Sequence, residues 1–276
     1  MTISQTLVRL SAAVLLACGW LATMEISQGQ EWALKRLEDS PRHLEYVEIP
    51  AGSRKVNSFI AFPEVSKKAP VVIVIHEIFG LSDWVRGVTD QLAERGVIAI
   101  APDLLSGSGP DGKGTASLGG GDGVRKAISA LPPDQITADL KGVIEYAKAL
   151  PAANGKVVVI GFCWGGGQTF RLATNVEGIE AFCPFYGTGP TDGKDLARIK
   201  GPVYGFYGEN DARVNATIAG STASMKEAGK VYEPVLYKGA GHGFMRAGEA
   251  PDASDANKQA RMDAWKRLDG ILAPLK

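Results

Sequence analysis

Short apolar runs alternate along the chain with longer segments in which apolar residues recur every three or four positions. Leu44 to Ile49 and Val56 to Phe62 alternate or cluster apolar residues over a few positions, which predicts two opening antiparallel strands. Pro70 to Ile75 is a continuous, largely β-branched run, the pattern of a central strand covered on both faces. Val97 to Ala101, Lys156 to Ile160, Ile179 to Phe185, Val203 to Tyr207 and Val231 to Tyr237 supply the later strands. Between them the spacing predicts a helix capped by Ser82 and running to about Arg95, and one capped by Asp134 reaching Leu150. Further helices are expected up to about Thr174, near Val214 to Ala228, and from Ala256 to Leu272. This alternation predicts an α/β fold, a mostly parallel sheet with helices on both faces and its site at the carboxyl ends of the strands.

One stretch breaks the rhythm. Ser106 to Gly123 holds eight glycines and few apolar residues, so it has little surface to bury against the entropy of ordering it. A mobile loop is expected there, either a lid or a plain surface insertion. At the other end, Arg9 precedes an apolar stretch from Leu10 to Met24, the pattern of an export signal with a cut near Ser27-Gln28-Gly29. Residues 1–29 thus read as a signal peptide, 30–43 as a polar connector and 44–276 as one domain, with a periplasmic or secreted location. Leu15-Leu16-Ala17-Cys18 offers a rival reading, a lipid anchor at Cys18, and an uncleaved N-terminal helix is another.

Composition narrows the chemistry without choosing it. With 30 basic and 30 acidic residues in 276, and no stretch interleaving basic residues with aromatics, a nucleic-acid partner is not expected. The three cysteines, Cys18, Cys163 and Cys183, make no disulfide framework, and no Cys or His pair lies at zinc-site spacing. A small molecule is the expected partner, without a metal or cofactor. Stable membrane insertion is not expected once the signal is removed, and the domain is expected to be a monomer.

The candidate chemistry lies at strand ends. Gly161-Phe162-Cys163-Trp164-Gly165 follows a strand and opens a helix, the pattern of a nucleophile elbow with cysteine in place of serine. The helix N-terminus favours a thiolate at Cys163 and offers the Trp164 amide to an oxyanion. His242 lies in a glycine-rich turn after the last strand, and Asp211 follows the strand before it, giving the order nucleophile, acid, histidine. Glu209 competes with Asp211, and His76 with His242. The loop Ile75 to Leu81 ends the central strand and places the Ile78 amide as the second oxyanion donor, with Phe79 beside it at the substrate. Glu77 in that loop is either a second acceptor for the thiol proton or half of a salt bridge. Cys183, in an apolar strand, is a core residue.

Taken together, His76-Glu77-Ile78-Phe79-Gly80-Leu81, Gly161 to Gly167, Asn210-Asp211 and Gly241-His242-Gly243-Phe244 resemble the dienelactone hydrolase, or carboxymethylenebutenolidase, family of the α/β-hydrolase superfamily. The resemblance spans about Tyr46 to Leu275. It implies an eight-stranded sheet, a Cys-His-Asp triad and cofactor-free hydrolysis of an enol-lactone ring, within the wider class of ester or lactone hydrolases. It also implies that Glu77 holds and deprotonates the thiol when substrate arrives, and that Arg246 binds an anionic group on it. Arg125 is the only nearby candidate for the family's second arginine. Gly243 stands where well-known members carry serine. Two other functions fit the fold: a broad carboxylesterase, and a binding domain without catalysis. A thiol redox pair of Cys163 with Cys183 lacks any Cys-x-x-Cys.

Overall fold

The computed structural model describes residues 31–190 and 192–276. The expected export signal, its expected cut site and Cys18 all lie outside the described residues. Among the described residues, no helix is long and apolar enough to cross a membrane.

Eight strands form one sheet in the order β1-β2-β4-β3-β5-β6-β7-β8. They are β1 (Leu44–Ala51), β2 (Arg54–Ala61), β3 (Ala69–Ile75), β4 (Ile98–Pro102), β5 (Ala153–Phe162), β6 (Ala181–Phe185), β7 (Val203–Gly208) and β8 (Tyr232–Tyr237). β2 runs antiparallel to both β1 and β4, and every other pairing is parallel. The continuous apolar run of β3 is buried at every position, as a strand covered on both faces must be. Two apolar layers flank the sheet. One gathers Val72, Val74, Trp84, Phe162 and Phe185, and the other gathers Ile73, Ile75, Val159, Leu140 and Phe170. At about 25 cal/mol per Å² of apolar area removed from water, these layers are the main source of stability.

The helices are α1 (Glu31–Glu38), α2 (Asp83–Glu94), α3 (Gly121–Ala130), α4 (Pro133–Ala149), α5 (Trp164–Ala173), α6 (Gly193–Ala197), α7 (Ala212–Asn215), α8 (Ile218–Glu227), α9 (Phe244–Ala247) and α10 (Asp255–Leu272). Ser82 caps α2 as expected, its side chain accepting from the Val85 amide. Asp134 does not cap α4. Pro132 occupies that position, Pro133 opens the helix, and Asp134 lies in the first turn, where a negative charge suits the helix dipole. The segment expected as one helix near 214–228 is two short ones, α7 and α8.

Two segments expected to be irregular are built into the domain. In the connector, α1 buries Ala33 and Leu37, and Arg42 grips the buried Asp90 of α2 through two hydrogen bonds of 2.7 and 2.8 Å. The glycine-rich stretch is held by polar anchors rather than left loose. Asp103, just past β4, accepts from the Thr115 amide and hydroxyl, each at 2.7 Å, and the Thr115 hydroxyl accepts from Leu81 at 3.1 Å. From Gly121 the stretch continues as α3, which buries Val124 and Ile128 beside Leu105. Ile78 and Trp164 pack against that small cluster, so the segment supports the carboxyl ends of β3 and β5.

Candidate active site

β5 turns into α5 through Cys163, whose backbone takes φ 54°, ψ −115°. For a residue with a Cβ this conformation costs on the order of 1–3 kcal/mol, so the surrounding packing has to enforce it. It does so through close approach. A Cβ on Gly161 would lie 2.2 Å from the Gly165 carbonyl oxygen, and one on Gly165 would lie 2.3 Å from that of Ile75. Only glycine lets the helix start press this tightly on the strand ends. The turn lifts the thiol to the rim of the sheet, partly exposed at the start of α5.

His242 reaches the thiol from the loop after β8. Its Nε2 lies 3.1 Å from Cys163 Sγ, and its Nδ1 lies 2.5 Å from Asp211 Oδ2. The Asp211 carboxylate fixes the proton on Nδ1 and turns Nε2 toward sulfur. Asp211 also caps α7, with Oδ1 accepting from the Val214 amide at 3.4 Å, so one buried carboxylate serves both geometries. The hydrogen bond to Cys163 pushes His242 up to about 9, against burial and with help from Asp211. The imidazolium is therefore the form its surroundings favour. Glu209, the competing acid, instead accepts from the Gly239 amide at 2.8 Å and braces the turn.

Glu77 and Arg246 meet close by, Arg246 Nε donating to Glu77 Oε2 at 2.9 Å. The Glu77 side chain is almost wholly buried, while that of Arg246 is 36% exposed. Burial pushes the Glu77 carboxyl up, and the guanidinium pulls it back. The Arg246 guanidinium also sits over the Phe79 ring, 5.2 Å from its centroid. Gly243 opens α9 at φ 73°, and a Cβ built there would face Arg246 and Glu77. A left-handed backbone next to this pair accounts for glycine at the position.

The Ile78 and Trp164 amides make no hydrogen bond to the described residues. His76 is not positioned as a base. It is fully buried, with Nδ1 2.8 Å from the Glu77 carbonyl oxygen and Nε2 accepting from the Leu104 amide at 3.3 Å. Burial lowers its tendency to take a second proton.

Cys163, Trp164 and Ile78 open onto a cavity of about 680 Å³ that Tyr186, Thr188 and Arg213 also line. That is ample for a small organic substrate. Arg125 is not part of it: its guanidinium pairs with Asp122 on the same helix, α3. Cys183 is fully buried in β6 and burial pushes its thiol up to about 12, so it stays protonated. Among the described residues, no group of three or more metal-ligating side chains occurs.

Most of the cavity lining went unnoticed in the sequence, Tyr186 and Arg213 among it. Tyr186 follows β6 at φ 39°, sets its ring edge-on to His242 at 5.2 Å, and buries a hydroxyl with no partner among the described residues. Its only local signal is an aromatic followed by glycine at a strand end. Arg213, two residues past Asp211, is exposed and makes no ion pair among the described residues.

Comparison with known proteins places the chain in a family. The sequence profile described as "Dienelactone hydrolase family" matches residues 56–274. A protein of Synechocystis named "Putative carboxymethylenebutenolidase" is 30% identical over 238 residues, covering 80% of this chain and 93% of the relative. One of the same name from Methylorubrum extorquens is 30% identical over 233 residues, covering 80% of this chain and 78% of its own. A crystal structure from Klebsiella pneumoniae, described as "Putative Dienelactone Hydrolase", superposes with a TM-score of 0.73 at 25% identity, covering 84% of this chain and 98% of the other.

Proposed function

Since the chain belongs to the dienelactone hydrolase family of α/β-hydrolases and is a hydrolase of ester or lactone bonds, we propose that Cys163 is its nucleophile, with His242 and Asp211 completing a triad. The observation that carries the reading is the pair of contacts in series, 3.1 Å from sulfur to imidazole and 2.5 Å from imidazole to carboxylate.

Cys163 thiolate attacks the substrate carbonyl carbon, and the C=O electron pair moves onto oxygen. The Ile78 and Trp164 amides hold the resulting oxyanion. As the intermediate collapses, the C–O bond to the alcohol or enol breaks, and the departing oxygen takes a proton from the His242 imidazolium. A thioester remains. His242, now neutral, takes a proton from water as it attacks, the C–S bond breaks, and the acid leaves with thiolate restored. Asp211 holds the imidazole in one tautomer throughout.

Glu77 and Arg246 add a substrate-dependent element. An anionic group arriving at the exposed edge of Arg246 competes with Glu77 for the guanidinium, so the pair registers charge on the substrate while His242 keeps the proton taken from the thiol. The Phe79 ring packs against the guanidinium, and neither residue lines the cavity onto which Cys163 opens. Arg125 pairs with Asp122 on α3, leaving one of the two expected anion-binding arginines beside the triad. The place of Arg246 outside the lining of the cavity onto which Cys163 opens favours a second reading of the substrate, a broader range of small carboxylic esters.

Two measurements test the proposal. Cys163→Ala is expected to abolish turnover of a chromogenic aryl ester while the circular dichroism spectrum stays that of the parent; retained turnover would remove Cys163 from the mechanism. Rates on an anionic lactone and a neutral aryl ester then separate the two substrate readings.

A further inference from the structure

His76 lies at the end of β3, beneath both elements that supply the oxyanion donors of the proposed mechanism. Its ring is fully buried, makes two hydrogen bonds, and stacks on the Trp164 ring at 5.4 Å between centroids and 17° between planes. Its hydrogen bonds fix its chemistry. The Leu104 amide can only donate, so Nε2 carries no proton, and Nδ1 therefore donates to the Glu77 carbonyl oxygen.

That carbonyl belongs to the same peptide unit as the Ile78 amide. The unit is planar and trans, so C=O and N–H point in opposite directions along one rigid plate. Holding the oxygen fixes the direction of the hydrogen. The Glu77 oxygen accepts twice, from His76 Nδ1 at 2.8 Å and from the Gly80 amide at 3.2 Å, and both bonds keep the plate from turning over. A loop peptide without such anchors can flip by compensating rotations on either side, which would point a carbonyl at the oxyanion and repel it. The ring's other contact, with Trp164, sits on the residue whose amide is the second donor. A Cβ on Gly165 would lie 2.4 Å from the His76 carbonyl oxygen, so β3 and the start of α5 are pressed together at this residue.

We propose that His76 is a positioning residue for acyl transfer: its Nδ1–H locks the Glu77–Ile78 peptide with the Ile78 amide turned toward the oxyanion. The inference rests on Cys163 forming a thioester. His76 touches no reacting atom and exchanges no proton.

The test uses the full chain, a slowly hydrolysed aryl ester carrying ¹³C at its carbonyl, and two variants. His76→Phe keeps a flat ring against Trp164 and removes the donor. His76→Asn places an amide N–H where Nδ1 stands. His76→Phe is expected to lower kcat about 100-fold with KM unchanged, the scale of losing one oxyanion donor. The thioester carbonyl band of its acyl-enzyme should move to higher wavenumber, and His76→Asn should restore both. An unchanged band and kcat in His76→Phe, or equal loss in both variants, would overturn the role of His76. Peptide mass mapping keeps that failure apart from failure of the mechanism: acyl label absent from Cys163 in the parent protein defeats the mechanism and the inference together. Should His76→Phe not fold, ¹⁵N spectra of the parent protein decide. They are expected to show a proton on Nδ1 and none on Nε2 in the resting protein, and an Nε2–H ring would overturn the proposal.

Discussion

Two charged pairs stand within one site and differ in almost every respect that governs reactivity. Asp211 and His242 meet at the rim, where the imidazole is solvent-reachable and in contact with sulfur. Glu77 and Arg246 meet close by, with the carboxylate sealed from water. A pair at the rim can pass protons to a substrate, whereas a sealed pair is held by its own attraction until something displaces one partner. The first therefore suits the chemistry and the second suits sensing of charge on the ligand. Position at the strand ends separates them, since both consist of ordinary carboxylates with ordinary cations.

The sharpest way to break this division is to disable each pair in turn. Asp211→Asn is expected to lower kcat by about 10⁴-fold, because an amide can hold the wrong imidazole tautomer. The same change should barely alter stability, since asparagine still caps α7. Steady-state kinetics beside a urea titration would check both halves, and a loss of folding in place of a loss of rate would contradict the division.

Glu77→Gln should do the reverse. It leaves the Arg246 guanidinium without its counter-charge, at a cost of about 2 to 3 kcal/mol, toward the low end for a broken buried pair because water reaches Arg246. Replacing both partners, as Glu77→Leu with Arg246→Met, is expected to recover most of that stability while abolishing any preference for anionic over neutral esters. Urea midpoints for the single and double variants test the first expectation, and competing substrates the second.

The smallest expected effect concerns pH. His242 titrates near 6.5 when unfolded and is pushed up to about 9 when folded, first by Cys163. Its contribution to stability is therefore complete below about pH 6.5 and is lost as pH rises through about 9. Water screens this half-open ring, so the slope should be shallow, and it should disappear in His242→Gln. A parent protein whose urea midpoint rises over that interval would contradict the assignment.

The strands and the triad geometry were legible because each follows from a strong local constraint. A continuous run such as Val71 to Ile75 leaves no exposed face, and Gly161-Phe162-Cys163-Trp164-Gly165 fits few backbones other than a sharp turn between strand and helix. What escaped depends on partners distant in sequence. Thr115 has a defined place only because Asp103 and Leu81 meet it there, so the glycine-rich stretch looked unanchored. The helix Glu31–Glu38 was hidden because it needs α2 to cover Ala33 and Leu37. Asp134 was misplaced because Pro132 and Pro133 start the helix before it. Arg125 had no motif to place it, and its contact turned out to be Asp122. Tyr186 could not be singled out, since its importance lies in how a left-handed backbone points it toward His242.

The central claim is covalent, and a covalent measurement tests it most directly. Rapid acid quenching of the protein during turnover of a slow aryl ester, followed by peptide mass analysis, should find the acyl mass on the peptide bearing Cys163 and leave Cys183 unmodified. Turnover that continues with no acyl group on Cys163, or with the label on another side chain, would contradict the account.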